Sequence, residues 1–318
     1  MLRKSKNKKN MDDNEKRILQ SRILHNVLSV FVIIILIRQF MMGNYHDVFI
    51  CVLTLALFMI PTIVNLKLNI KLPMALEVVI MLFIFAAEIL GEIQSFYTII
   101  PNWDNILHTI NGFIMAAIGF AMIDILNQTP RIHINMSPLF VSLVAFCFSM
   151  TVGVIWEFFE FGMDSVTGTD MQKDWIVNRI SSVLINPSGL NDPIVIKDIT
   201  RSVIYGEVNG QPVEWAIDGY LDIGVVDTMK DLIVNFIGAA IFSIIGFLYI
   251  TGRGKGWFAK SFIPQLKTPK EIAETHARLE TAKRLKRLKK ERRKEKYAHA
   301  EEERRDKKSG ADAENAEN

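Results

Sequence analysis

Apolar residues along this chain gather into six stretches, near 23–42, 48–66, 74–91, 106–126, 138–161 and 232–251. Each is close to the roughly 20 residues that a helix needs to cross a hydrocarbon core. Polar residues fill the two chain ends and one long segment, 162–231, whose middle alternates like strands at 201–205 and 213–217. Asn209-Gly210 lies between those strands and is a strong short-range hairpin signal. The pattern predicts an all-α membrane protein: a six-helix transmembrane bundle over 23–251 with a small β-hairpin insertion, a basic N-terminus at 1–22 and a charged tail at 252–318.

Composition agrees with that segregation. Half of the residues are hydrophobic while 22% are charged, a combination that an evenly mixed soluble domain rarely shows. Lysine and arginine then set the orientation, because short loops rich in them stay on the cytoplasmic side. Arg3, Lys4, Lys6, Lys8, Lys9, Lys16, Arg17 and Arg22 hold the N-terminus inside; Lys67, Lys71 and Arg131 mark two inner loops, and no lysine or arginine falls between Lys71 and Arg131. Arg38 is the exception, and its long side chain can snorkel. Both termini are therefore expected in the cytoplasm, the insertion outside, and the protein in the plasma membrane of a bacterium. No small-residue cleavage site follows residues 27–37, so the first span reads as a retained anchor. Trp103, Trp156, Trp175 and Trp215 suit the lipid–water boundary or a cap.

The lipid bilayer is the first expected partner. A basic run in the tail, Lys283, Arg284, Lys286, Arg287, Lys289, Lys290, Arg292, Arg293, Lys294 and Lys296, suits anionic lipid headgroups; a solvated, partly helical tail explains it equally well. No nucleic-acid partner is expected, because no aromatic platform is interleaved with the charge. Cys51 and Cys147, both within apolar stretches, exclude a disulfide framework and a cysteine zinc site. No phosphate loop, nucleophile elbow or zinc-protease helix is visible.

Four of the spans carry ionisable residues at what the charge pattern makes their outer ends. Glu88 and Glu92 close span three; Asp104, His108, Asn111 and Gly112 open span four; Glu157, Glu160 and Asp164 close span five; Asp227, Thr228, Asp231 and Asn235 open span six. Spacings of three and four place each set on one side of its helix. Such residues are costly in a membrane, and stacked like charges need a cation, a shared proton or water. Asp104, His108, Glu157, Glu160, Asp164 and Asp231 are the candidate metal ligands. An oxygen-rich set with one imidazole suits Mg, Mn, Ca, or a carboxylate-rich Zn or Fe site. Asp104, His108, Glu157, Glu160, Asp227 and Asp231 are the candidate catalytic groups, as general acids or bases. A plainer explanation is that Thr228 with Asp231 forms a capping box, Asp227 caps span six, and the other acids sit in headgroup water. Small residues, Gly112, Ala116 and Gly119 in span four and Gly238, Ala239, Ser243 and Gly246 in span six, predict close helix packing. His25, His46, His133, His276 and His299 stand alone, as do Glu77 and Asp124.

Several phrases carry a resemblance: Trp103-Asp104-Asn105 to His108 with Gly112, Trp156-Glu157-Phe158-Phe159-Glu160-Phe161, Asp170-Met171-Gln172 and Asp227-Thr228-Met229-Lys230-Asp231-Leu232. Together, over roughly residues 74–246, they resemble the YjdF-like family of predicted bacterial inner-membrane proteins. More distantly, the order of acids, histidine and a final Asp, Asp, Asn and Gly-Ala is similar to VanZ-like proteins, associated with teicoplanin resistance. The resemblance implies a membrane location and a shared site, not a reaction. The insertion between Gln172 and Asp227 is longer than the family's usual link, and the basic tail is an addition.

Three functions compete. The acidic site binds a divalent cation and acts on lipid-linked or cell-envelope substrates; or the same carboxylates serve an ion-coupled transporter; or the protein is a non-catalytic scaffold or assembly factor, with insertion and tail as binding surfaces. A transporter fits less well, because the acids gather at one end of the spans and no inverted repeat is apparent.

Overall fold

The computed structural model describes residues 13–128, 136–254, 256, 260–277, 279–281, 283–285 and 287–292. Arg3, Lys4, Lys6, Lys8 and Lys9 of the basic N-terminus lie outside the described residues, as do Arg131, His133, Lys286, Arg293, Lys294, Lys296, His299 and the acidic end of the tail. The side chains of Lys16 and Arg17 lie outside them too.

Among the described residues, six helical spans are long and apolar enough to cross a membrane: Gln20–Met41, Tyr45–Lys67, Met74–Ile93, Trp103–Leu126, Pro138–Thr167 and Val225–Thr251. The first belongs to α1 (Asp13–Met41); the second divides into α2 (Tyr45–Leu57) and α3 (Ile60–Lys67). Pro61 has no N–H to bond back to the previous turn, which accounts for the interruption. After the two-residue β1 (Ile70–Lys71), the third span begins as α4 (Met74–Ile84) and widens into a π-helix at Phe85–Ile93. A single turn, α5 (Phe96–Ile99), leads to α6 (Trp103–Gln128), followed by α7 (Pro138–Thr167) and α8 (Val225–Thr251).

The helices that carry the acids outrun their apolar stretches. Helix α6 starts before residue 106, α7 continues past 161 and α8 starts before 232, because local signals set their ends rather than hydropathy. Ser137 accepts the Phe140 N–H at 3.3 Å and Pro138 fills the first turn of α7. Gly168 in the left-handed region (φ 67°) ends it, its N–H bonding to the Asp164 carbonyl. The added turns are polar, and Asp104, Asp164, Asp227 and Asp231 ride on them, while His108, Glu157 and Glu160 lie just inside the apolar stretches.

Between α7 and α8 lie β2 (Ile176–Val177), β3 (Ile180–Ser182), β4 (Ile194–Ile196), β5 (Ser202–Val208), β6 (Gln211–Ile217) and β7 (Tyr220–Leu221). They form three antiparallel pairs: β2 with β7, β3 with β4, and β5 with β6. The expected hairpin is β5–β6, with Val208 opposite Gln211. Its turn residues Asn209 (φ 51°) and Gly210 (φ 73°) both have positive φ, as a type I′ turn requires.

One buried apolar cluster joins Leu76, Ile114, Ala116, Ala117, Phe120, Val141, Ala145, Ala239 and Phe242, and so ties α6, α7 and α8 together. A second joins Leu28, Val32, Cys51, Phe58, Met81, Ile84 and Ile89, on the first three spans. Large apolar side chains such as Ile34, Phe158, Phe161 and Leu248 remain exposed on the outside of the helices, which is the surface that lipid covers. Small residues set the spacing of α6 and α8: a Cβ at Gly112 would strike the Asn235 carbonyl oxygen, and one at Gly238 the Thr109 carbonyl oxygen. Likewise a Cβ at Gly153 of α7 would come within 2.7 Å of the Asn235 amide nitrogen. Three helices thus meet backbone to side chain around Asn235.

Residues Val64–Lys71 and the described residues from Leu266 on form a second unit. In it Lys71 pairs with Glu271 at 2.8 Å, and Lys267 Nζ donates to the Asn65 carbonyl at 2.6 Å. Glu271 also accepts from the Thr268 N–H (2.9 Å) and hydroxyl (3.0 Å), while the Glu271 N–H donates to the Thr268 hydroxyl at 3.3 Å, which makes a capping box for the helix that follows. Lys71 first, and then the Thr268 N–H, hold the Glu271 carboxyl at about 2, well below its ordinary range. Lys283, Arg284, Arg287, Lys289, Lys290 and Arg292 are exposed along that helix.

Gly238→Val forces α6 and α8 apart and lowers stability by about 1–3 kcal/mol, the usual penalty of overpacking. The measurement is the temperature at which the buried Cys51 thiol becomes reactive in detergent; an unchanged midpoint would mean that the contact at Gly238 carries no packing load.

Candidate functional site

The acids of α6, α7 and α8 meet at one end of the bundle. Asp104 and His108 occupy the first two turns of α6, and their side chains approach with His108 Nε2 3.6 Å from Asp104 Oδ1. From α7, Glu157 presents Oε1 3.8 Å from His108 Nδ1. From α8, Asp231 completes the group. Ligand-capable atoms of Asp104, His108 and Asp231 lie within 4.8 Å of one another, and so do those of His108, Glu157 and Glu160. Five of the sequence-selected residues therefore form one pocket.

Its interior is buried. Asp231 is 1% exposed and Glu157 4%, with His108 and Glu160 also buried; Asp104, its side chain 28% exposed, is the open side. Both carboxylate oxygens of Asp231 and both of Glu157 lack a hydrogen-bond partner. Thr228 and Gln172 stand close to Glu157, but they bond to each other, Gln172 Nε2 donating to Thr228 Oγ1 at 2.6 Å. Glu160 fares better, because Trp156 Nε1 donates to Oε1 at 2.9 Å. A buried ion without a partner costs several kcal/mol, so this arrangement calls for something to neutralise it.

The other acids do structural work. Asp164 accepts from the Thr169 hydroxyl and the Met171 N–H through Oδ1 (2.8 and 2.7 Å), and from the Gln172 N–H through Oδ2 (2.8 Å). Its oxygens are used by the loop, and it belongs to neither metal-capable group. Asp227 accepts from the Lys173 N–H at 2.7 Å and from Trp175 Nε1 at 3.3 Å. Asp222 accepts from the Trp175 N–H and from the Val226 N–H, both at 2.7 Å. These three carboxylates fasten the strap 171–175 across the ends of α7 and α8. Lys230 reinforces it, with its ammonium 2.9 Å from the centre of the Trp175 ring.

The expected caps of α8 are therefore corrected. Gly224 (φ 81°) is the N-cap without a side-chain bond; Asp222 supplies the acceptor from outside the helix, while Thr228 and Asp227 face the strap. Glu88 and Glu92 also fall outside the two metal-capable groups.

Beneath the pocket the polar column continues for one turn. Asn235, fully buried, accepts from Asn111 Nδ2 at 3.4 Å and sits 3.5 Å from the Met150 sulfur. Ser149 donates to the Gly112 carbonyl at 2.8 Å. Asp222, Ser149, Gly153 and Tyr97 are contributors that sequence reasoning missed. An acid two residues before a glycine that opens a helix is a readable signal for the first, whereas Ser149 and Gly153 sit in an apolar stretch with nothing to mark them. Tyr97 lays its ring against Gly91, whose lack of a Cβ makes room for it. Burial first, then the fields of Asp104, Glu92, Glu88 and Glu160, push its phenol above the ordinary range.

Fold and site define a polytopic membrane protein whose last three membrane helices enclose a carboxylate and imidazole pocket at one end. The chain belongs to the family described as "Predicted membrane protein (DUF2238)", whose model matches residues 23–252, and this is the YjdF-like family. No curated protein and no solved structure matches it.

Asp164→Ala frees the amides of Met171 and Gln172. Hydrogen exchange there is expected to quicken by about tenfold or more, matching the ~1.5–3 kcal/mol of a charge-assisted bond, while exchange in α6 stays unchanged. Equal protection in the variant would show that the strap is held by other means.

Proposed function

We propose that the pocket of Asp104, His108, Glu157, Glu160 and Asp231 binds a divalent cation, and that the protein uses it on lipid-linked or cell-envelope substrates at headgroup depth. The observation that carries this reading is the pair of buried, unpartnered carboxylates, Glu157 and Asp231, turned toward His108. A cation supplies the charge that the surrounding side chains do not. When bound, it serves as a Lewis acid on a phosphoryl or carbonyl oxygen. The residues of this chain hold and orient it, Asp104 forms the accessible edge, and Asp227 with Asp164 fixes the strap that walls the site. Substrates in a membrane present their polar groups at this depth, since Asp104 is the second residue of α6. The VanZ-like order of acids agrees with an envelope substrate.

The transporter reading finds less support. One turn beneath Asp231 the polar column reaches Asn235, and then Ala239, Phe242 and Phe120 close the bundle. The scaffold reading leaves the buried carboxylates without a role.

By the same charge reasoning, both termini face the cytoplasm of a bacterium, the insertion and the pocket face outward, and the exposed cations of the tail helix rest on anionic headgroups of the inner leaflet. Domain limits follow as 1–22, 23–251 with the insertion 162–231, and 252–318.

His108→Ala and Glu157→Gln should each lower bound divalent metal, read by elemental analysis of the purified protein, by tenfold or more and alter the composition of envelope lipids or cell wall. Normal metal content, or normal envelope composition in cells that depend on the variant, would sink the proposal. Orientation has its own test: Ser188→Cys, in a chain with Cys51 and Cys147 replaced by alanine, should react with an impermeant maleimide on intact cells. Reaction only after lysis reverses the topology.

A further inference from the structure

The pocket is double. We infer that it holds two divalent cations of the zinc class, one on each side of the His108 ring: the first between His108, Asp104 and Asp231, the second between His108, Glu157 and Glu160. This inference rests on the cation reading above and adds number, identity and a bridging role for one side chain.

Geometry comes first. The two metal-capable groups share His108 and no other residue. One ring nitrogen faces Asp104 at 3.6 Å and the other faces Glu157 at 3.8 Å. Neither separation is a hydrogen bond. Two atoms bound to one ion at about 2.1 Å, at angles near 90–109°, stand roughly 3.0–3.4 Å apart, so each gap closes onto an ion with a contraction of a few tenths of an ångström. The nitrogens of one imidazole point away from each other, so no single ion can bind both.

Charge balance comes second. Asp104, Asp231, Glu157 and Glu160 are four carboxylates, and one divalent cation would leave half of their charge uncompensated in a pocket where Asp231 and Glu157 have no partners. Two such cations match the four. Oxygen atoms alone would suit Mg²⁺ or Ca²⁺, but an imidazole at the centre favours Zn²⁺ and its transition-metal neighbours. With both positions filled, a metal–nitrogen bond forms at each ring nitrogen; the remaining N–H proton leaves to solvent, and His108 bridges as an imidazolate, so that the filled site keeps a single negative charge in place of the charge of four carboxylates. No electron transfer is involved.

Neighbouring groups fit this division. Trp156 Nε1 donates to Glu160 at 2.9 Å and orients that ligand, as a partner outside the coordination sphere commonly does. Asp227 and Asp164 are engaged by backbone N–H groups of the strap, so they do not compete for the ions.

The test uses the full chain in lipid nanodiscs, stripped with chelator and titrated with Zn²⁺ at neutral pH. The wild type should bind about two zinc ions, and Asp104→Asn/Asp231→Asn and Glu157→Gln/Glu160→Gln about one each. X-ray absorption at the zinc edge of the wild type should show nitrogen and oxygen ligands, with imidazole scattering at both sites. Protection of the buried Cys51 thiol from reagent confirms that each variant is folded, and the absorption spectrum decides the matter should a double variant fail to fold. A single zinc ion, lost in both double variants, overturns the double site and leaves the cation reading standing. No zinc in the wild type overturns the double zinc site, and the cation reading falls with it only if elemental analysis finds no other divalent metal in the purified protein. Two zinc ions without imidazole scattering overturn the bridge and hence the inference.

Discussion

Acid groups enclosed by membrane helices have to be given a counter-charge, and here that requirement organises the end of the bundle where α6, α7 and α8 converge. Two solutions operate side by side. Asp164, Asp222 and Asp227 are satisfied by backbone N–H groups of the strap 171–175 and by the Trp175 indole. Asp231 and Glu157, a turn or more deeper along their helices, have no such donors and are turned toward His108 instead. The first set builds the wall; the second set is left with chemistry to do. Removing the strap would deprive the wall acids of their donors, so insertion and site are one structure despite their distance in sequence.

Close packing makes this arrangement possible. Gly112 and Gly153 let α6 and α7 approach α8 until the Asn235 backbone and side chain fill the space that their Cβ atoms would take, and Gly238 makes the same room for the Thr109 carbonyl. Asn235 then anchors the floor of the pocket, bonded to Asn111 and seated against Met150. Beneath it the aromatic contacts Phe113–Phe242 and Phe120–Phe242, with centroids 5.0 and 6.1 Å apart, seal the bundle. A rigid apolar base under a polar cup keeps the ligand-capable atoms of each group of three within 4.8 Å of one another.

Much of this was legible in the sequence, for physical reasons. Hydropathy locates the six spans because lipid tolerates no other pattern, and the three- and four-residue spacing of Asp104 with His108 and of Glu157 with Glu160 puts them on shared helix faces. Asn209-Gly210 announces its turn because both positions need positive φ. Hydropathy failed at the helix ends, where capping rather than apolarity sets the limit; it placed the start of α8 at 232 rather than at Val225. Thr228 and Asp231 match a capping box by spacing yet serve the pocket, while the box that forms is Thr268 with Glu271. Spacing alone does not say which helix turn a motif occupies. The strap's three clamps were illegible too, since they join residues as many as 54 positions apart. The π-helix at Phe85–Ile93 has no sequence account.

Placing Asp104 and Asp231 on the polar extensions of α6 and α8 ties the site to the thickness of the bilayer. A helix rises 1.5 Å per residue, so Asp104 and His108 are separated along α6 by about one turn, roughly 5–6 Å. Membranes of different sterol or acyl composition differ in hydrocarbon depth by a few ångströms, a sizeable part of that interval. At the proposed headgroup depth, a thicker sheet would draw the open edge at Asp104 toward hydrocarbon and a thinner one would bathe it, so that lipid composition would act as a dial on access to the pocket with no moving part in the protein itself.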